Sequence, residues 1–324
     1  KEAGWGTNKA LNVGRGIGMY DREPGAFGPS SATLSIDVDA KFTLMTGAAD
    51  TGTGSYTVLQ QVVAETLRVP MESVSVVQGD TDTASWEVGA GGSRLTHMAG
   101  QAALAAVEKL KDGLGHFAAQ HMEGPPDQVQ YQQGGFVNAN GQRLELNTLM
   151  AVLAEHSKFP LSYTGEYLAP NGVDVTSYCA QVAEVEVDPV TGQVTLKKLT
   201  TAHDVGTILN PLTHQGQIEG GAVQGVGHAL TEHLIIQDGA VTNLHLGDYK
   251  LPTAMDIPEL KTALVESDAG PAPYEGKAIG EHSNVAVPAA VANAVYDAVG
   301  VRLMDLPITA EKVYAGLGKK ERSA

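Results

Sequence analysis

An α+β fold in two mixed helix-and-sheet subdomains is the architecture this sequence predicts, on three observations. Several short runs alternate apolar and polar residues, the period of a strand, while others repeat apolar residues at helical spacing. The two kinds of run interleave without the regular strand–helix–strand period of a doubly wound sheet. A tract rich in Pro, Gln, Asn and Gly, 123–175, places the boundary between the subdomains near residue 165. The divisions expected are a lead-in over 1–30, subdomains over 31–165 and 166–318, and a tail over 319–324. At 324 residues the chain has ample core for both subdomains.

The lead-in is dense in Gly and Pro and is expected to hold little regular structure. Its Gly14-Arg15-Gly16-Ile17-Gly18 faintly resembles a dinucleotide loop, but it follows no predicted strand and opens no helix. From Leu34 to Leu44, apolar and polar residues alternate without a break, predicting one half-buried strand. A loop from Thr46 to Gly54 then opens a helix that runs to about Arg68, with Pro70 beyond its end. A strand over 74–77 leads through Gly79-Asp80-Thr81-Asp82 into a glycine-rich loop, and an Ala-rich helix covers about 96–122. One short helix is expected near 147–157.

In the second half, Ala180 to Val187 and Val194 to Leu199 alternate on either side of Asp188-Pro189-Val190-Thr191-Gly192, a hairpin. A Gly-rich helix is expected over about 215–232, and a second hairpin pivots on Asp238-Gly239. A strand near 262–267, a loop over 268–285 and helices near 288–299 and 309–317 complete the chain.

Composition excludes several functions. A net charge of −16 repels nucleic acid and anionic membranes, and no apolar run is long enough to span a bilayer. The single cysteine, Cys179, makes neither an internal disulfide nor a four-thiolate cluster, so any electrons must leave through another polypeptide. A reducing cytoplasm is the simplest setting. Ten histidines invite a zinc reading, but His228 and His233, five residues apart on one helix, would face different ways. Metalloprotease, nucleophile-elbow and Walker motifs do not occur.

Four glycine-dense turns lie at element boundaries: Thr51 to Gly54, Gly89 to Ser93, Gly216 to Gly221, and Lys277 to Glu281. Such turns either let backbone amides approach an anionic ligand or serve as tight structural turns. Glu281 follows Gly280 and has apolar sequence neighbours, Ile279, Val285 and Val287. An apolar setting raises a carboxylate's pKa and suits it to proton abstraction, whereas a surface-loop glutamate would have no such role.

Ordered motifs decide between these alternatives. They are Ala183 to Asp188 with Thr191-Gly192, His203-Asp204-Val205-Gly206 with Asn210-Pro211, and Gly216 to Gly221 with Gln224-Gly225-Val226-Gly227. Asp248-Tyr249 with Leu251 to Ala254, Lys277 to Glu281, and Pro288 to Val295 follow. Together with Thr51 to Gly54, Gln78 to Thr81 and Gly92-Ser93-Arg94, they resemble the C-terminal half of the molybdenum subunit of xanthine dehydrogenases and aldehyde oxidases. The resemblance runs from about residue 30 to 315.

That resemblance implies two elongated subdomains of the molybdopterin-binding type. It implies a pyranopterin dithiolene carrying molybdenum, usually in bacteria the cytosine dinucleotide, with no protein side chain ligating the metal directly. The reaction implied is hydroxylation of an electron-poor carbon, of an N-heterocycle or an aldehyde, with oxygen from water. Hydride passes to molybdenum, then electrons pass to [2Fe-2S] clusters and FAD on partner subunits. Glu281 is implied as the catalytic base, with Gln217 hydrogen-bonded to the pterin. Gly52, Thr53, Gly54, Gly91, Gly92, Ser93, Arg94 and Gly280 are implied as cofactor-binding. Carbon monoxide oxidation, aromatic-CoA reduction and a non-catalytic scaffold role are the alternatives.

Two positions depart from the pattern. Thr53 stands where many relatives carry Gln, which shortens the reach, and Leu95 stands where some carry a second serine. The family's full subunit is roughly twice this length, and its Phe-Gly-Gly loop and substrate-pocket segment do not occur here. The expectation is therefore a split molybdenum subunit, its N-terminal half carried on another chain.

Overall fold

The computed structural model describes residues 3–23, 25–84, 86–155, 159–170 and 175–323. In chain order the first elements are β1 (Val13–Arg22), β2 (Ser30–Ile36), β3 (Phe42–Thr46), α1 (Ser55–Leu67), β4 (Val74–Gln78) and α2 (Leu95–His121). Then come β5 (Val129–Gln132), β6 (Gly135–Asn138), β7 (Arg143–Glu145), α3 (Leu146–Ala154), β8 (Leu161–Tyr167), β9 (Ser177–Val187) and β10 (Val194–Asp204). The last are α4 (Pro211–Leu230), β11 (Ile236–Gln237), β12 (Ala240–Val241), β13 (Glu259–Val265), α5 (Val287–Val299) and α6 (Ala310–Ser323). The mixture of helices and sheets agrees with the predicted fold class.

The chain divides into two compact units that interleave along the sequence. The first comprises Lys1–Glu23, Thr176–Asp268 and Ala278–Ala324; the second comprises Pro24–Val175 and Ala269–Lys277. This differs from the consecutive blocks, with 1–30 as a lead-in, that the sequence predicts. Residues 13–22 are instead a full strand, antiparallel to β9 from Val13 opposite Glu186 to Arg22 opposite Ser177.

The glycines explain why this strand was missed. Gly14, Gly16 and Gly18 all face helix α5, and a Cβ at each would come within 2.0–2.2 Å of the carbonyl oxygens of Ala294, Ala290 and Ala286 respectively. Two residues of strand span nearly the same length as four residues of helix, so the strand's i, i+2 glycines track the helix's i, i+4 alanines. Backbone thus lies directly on backbone, with no side chains to mark the strand by alternation. Gly16→Ala is expected to destabilise the protein by about 1–3 kcal/mol through overpacking, read from the urea midpoint; an unchanged midpoint would contradict this packing.

The first unit's main sheet has the order β1-β9-β10-β13, with only β10 and β13 parallel. Ala183, Val185 and Val187 of β9 pack with Val226 of α4 and with Val287, Ala290, Val291 and Ala294 of α5. The predicted pivot at Asp238-Gly239 joins β11 to β12, both residues holding positive φ.

The second unit is built on the sheet β4-β3-β2-β8. The strand expected over 34–44 is in fact a hairpin of β2 and β3, with Leu34 opposite Leu44 and Ile36 opposite Phe42. Asp37 makes the turn: its Oδ1 accepts the amides of Asp39 and Lys41, each at 2.9 Å, and Ala40 takes φ 55°. The alternation happens to stay in phase through this turn. The Ala-rich helix α2 crosses β8 at Gly165, whose Cβ would meet Ala102 O and Ala106 N at 2.2 Å, the same strand-on-helix device. Strands β5 to β7 form a small sheet inside the tract rich in Pro, Gln, Asn and Gly, where only a short helix is expected from the sequence.

Candidate functional site

In the first unit, Glu281 follows Gly280 on a run of turns over 280–286 that leads into α5. Its setting is not the apolar one expected from its sequence neighbours. The Glu281 side chain is 46% exposed, and its Oε2 lies 2.6 Å from Nη2 of Arg22 at the end of β1. Val285 also faces outward, whereas Val287 is buried in the core. The carboxylate is therefore an accessible, charge-paired group at the end of a strand.

A polar patch lies beneath that turn. Gln181, Thr201, His203, His282 and Ser283 are each at most 1% exposed. His203 Nε2 lies 2.6 Å from Thr201 Oγ1. Burial, reinforced by the neighbouring His282, pushes the His203 ring down to about 4. His282 is lowered too, first by burial and then by the Arg22 charge.

The unfolded chain takes up a proton on residue 203 near pH 6.5, the folded one only near 4, so stability must fall as pH drops through that window. His203→Gln is expected to flatten part of this slope, measured as urea midpoints at pH 7, 5.5 and 4.5. A variant that loses stability with acid as steeply as the parent would contradict the assignment.

Gln217 and the glycines around it lie on α4, whose start is set by Pro211 and by the Asn210 side chain accepting the Thr213 amide at 3.1 Å. Gly221 and Gly225 are needed inside the unit: a Cβ on either would come within 2.6 Å of Ser283 Cβ or Asn284 O respectively. At Gly216 and Gly220, by contrast, a Cβ would meet nothing within 4 Å.

The second unit holds the remaining sequence candidates, in two loops. At Gly52, Thr53 and Gly54, which precede α1, the structure shows a partner that the sequence reading missed. Asp50 Oδ1 accepts the amides of Gly52, Thr53 and Gly54 at 2.9–3.2 Å, and Oδ2 accepts that of Tyr56 at 3.3 Å. Burial raises the Asp50 carboxyl, but the backbone donors, Tyr56 foremost, outweigh it and hold the group below its usual range. The amides expected to face an anionic ligand are thus occupied by the chain's own carboxylate. An Asp shortly before a helix start was the available signal.

The loop before α2 carries Gly91, Gly92, Ser93 and Arg94. Arg94 is 0% exposed and its guanidinium turns inward, where Nη1 pairs with the equally buried Glu87 and donates to Gly89 O at 3.1 Å. Glu87 Oε1 also accepts the Val88 amide, and its Oε2 takes the Ser30 hydroxyl. Phe27 stacks on the guanidinium at 5.5 Å, and a Cβ at Gly92 would meet that ring at 2.9 Å. Arg94 and Gly92 therefore have internal duties, while Gly91 faces open space.

Cys179 is buried and its thiol is pushed up to about 11, chiefly by burial and against a backbone hydrogen bond to Tyr20, the state of an inert thiol. Among the described residues no group of three or more His, Cys, Asp or Glu side chains could hold a metal ion. His228 lies in α4 and His233 beyond its end. Among those residues too, no helix is long and apolar enough to cross a membrane.

Residues 2–258 match the family model for the molybdopterin cofactor-binding domain. The chain is 32% identical to the 6-hydroxypseudooxynicotine dehydrogenase complex subunit gamma of Paenarthrobacter nicotinovorans, over 97% of this chain and 41% of that protein. It is also 32% identical to a putative xanthine dehydrogenase molybdenum-binding subunit of Escherichia coli, over 95% and 42%. Quinoline 2-oxidoreductase from Pseudomonas putida 86 has a similar fold, with a TM-score of 0.85 at 26% identity over 95% of this chain and 42% of that one. The chain spans about two fifths of the length of these relatives. By the family match the chain belongs to the molybdopterin cofactor-binding domain family, and it is similar to proteins named as xanthine dehydrogenase and aldehyde oxidoreductase molybdenum-binding subunits.

Proposed function

We propose that this chain forms part of the molybdenum subunit of a multi-subunit hydroxylase or dehydrogenase acting on an N-heterocycle or an aldehyde, with Glu281 as the general base. The observation that carries the reading is Glu281 itself, an accessible carboxylate on an anchored turn in a chain of this family.

Several residues fit a pterin-type cofactor. Gly91, Gly216 and Gly220 have neither a positive φ nor an internal neighbour that requires glycine. Within a helix, glycine costs about 1 kcal/mol against alanine, so bare backbone at Gly216 and Gly220 has a use outside the chain. Close approach of a flat ligand is such a use. Gln217 sits between these two glycines in sequence and supplies amide donors and acceptors for the pterin. In the second unit Gly91 and Ser93 offer the equivalent surface, and Arg94 with Glu87 holds that loop in shape. Asp50 does the same for Gly52, Thr53 and Gly54. Gly280 is exposed and directly precedes Glu281.

When bound, the cofactor supplies a Lewis acid and a two-electron acceptor. Glu281 accepts the proton released as water-derived oxygen attacks the electron-poor carbon. With its one cysteine buried and inert, this chain passes electrons onward through [2Fe-2S] and FAD groups on partner subunits. The remainder of the molybdenum subunit completes the pocket, the cofactor is the cytosine dinucleotide form, and the assembly works in the cytoplasm.

Turnover in 18O-labelled water tests this reading. The native assembly, offered a panel of N-heterocycles and aldehydes, should form a hydroxylated product or carboxylate carrying the label. Product oxygen drawn from O2 would overturn it. Mild acid release of CMP would identify the dinucleotide.

A further inference from the structure

We propose that Gln181 is a positioning residue for Glu281, an inference that rests on reading Glu281 as the base. Strand β9 presents Ser177, Cys179, Gln181, Ala183, Val185 and Val187 on its buried face. The last three are apolar and pack with α5 and α4 in one core cluster. The first three are polar or polarisable, and they lie at the end of the strand that serves the 280–286 turns.

The change in character has a physical reason. Residues 280–286 precede α5 and lack the hydrogen bonds of a regular helix, so their buried carbonyls need other donors. Gln181 Nε2 donates to Ser283 O at 2.7 Å, and Cys179 Sγ lies 3.6 Å from His282 O. On another side, the bare backbone of α4 at Gly221 and Gly225 receives Ser283, Asn284 and Val287 with no space for a Cβ. The chain is therefore gripped at the two residues directly after Glu281.

A leucine at 181 has a similar volume but could donate to neither Ser283 O nor Thr201 Oγ1. The amide leaves its own Oε1 without a partner among the described residues while Nε2 donates to Ser283 O at 2.7 Å and, at the longer 3.4 Å, to Thr201 Oγ1. An unpaired buried oxygen is costly, so the donor it accompanies has a use, and fixing the turn that carries Glu281 is that use. A base displaced by about 1 Å can lose a hundredfold in rate.

The test compares Gln181→Leu and Gln181→Met with the parent in the native assembly. Hydrogen–deuterium exchange is followed by mass spectrometry over 280–286 and over 290–299, with kcat, KM and molybdenum content measured alongside. Exchange over 280–286 should speed at least fivefold while 290–299 is unchanged. At full molybdenum content kcat should fall tenfold or more with KM within twofold.

Unchanged exchange, or a loosened turn with unchanged kcat, overturns the proposal. Should both apolar variants unfold, Gln181→Asn keeps the amide, shortens its reach and carries the same readouts. Full activity of Glu281→Gln would remove the base reading and the positioning role with it, while the exchange readout still tells that failure apart from a turn that Gln181 does not hold.

Discussion

Glu281→Gln is expected to lower kcat of the native assembly about a hundred- to ten-thousandfold, the contribution of a well-placed general base. The fold should survive. The Arg22–Glu281 pair is partly exposed on both sides, and such pairs contribute about 0–1 kcal/mol. Glutamine keeps the shape and a hydrogen bond to the guanidinium but accepts no proton at neutral pH. The thermal midpoint and molybdenum content should therefore match the parent while turnover collapses. A variant retaining a third or more of its activity would show that the proton goes elsewhere, and Arg22 with Glu281 would then be an ordinary surface ion pair.

Glu87→Ala should have the largest effect on stability, about 3–5 kcal/mol, because it strands a fully buried guanidinium. Among the described residues Arg94 has no other anionic partner in that loop; Gly89 O and the Phe27 ring remain, and neither neutralises it. Urea unfolding followed by circular dichroism reads the loss. The double variant Glu87→Leu with Arg94→Met should recover most of it, since removing both charges removes the burial penalty as well. A loss below about 1 kcal/mol in the single variant would contradict a buried, dry ion pair, and Gly89 to Ser93 would need another explanation for its order.

Most helices and the β9–β10 hairpin could be read from periodicity, because each buries one face and marks it with apolar residues at the matching spacing. The failures have physical causes. β1 packs through glycines, so it carries no side-chain alternation on its buried face. The Asp37 turn preserves the phase of alternation across β2 and β3, which made two strands look like one. β8 contacts α2 at Gly165 and sits in a polar stretch of sequence.

Glu281 and the glycine turns stand out as candidates because they fall at predicted element boundaries, and Gln217 through the family resemblance, although residues 216–221 lie inside α4. What each turn's amides do cannot be read that way. Asp50 occupies the amides before α1, and Arg94 points into the second unit, facts set by side-chain direction that spacing does not encode. Gln181 was hidden within a strand pattern that reads as alternation alone. Its signal was a polar residue at an inward position.

The most direct test of the account is the molybdenum content of the protein isolated from its native source under mild conditions, by plasma mass spectrometry. The account predicts close to one molybdenum per chain, co-eluting with larger partner chains. An intact assembly that is reproducibly free of molybdenum would contradict it and leave Glu281 without a reaction to serve.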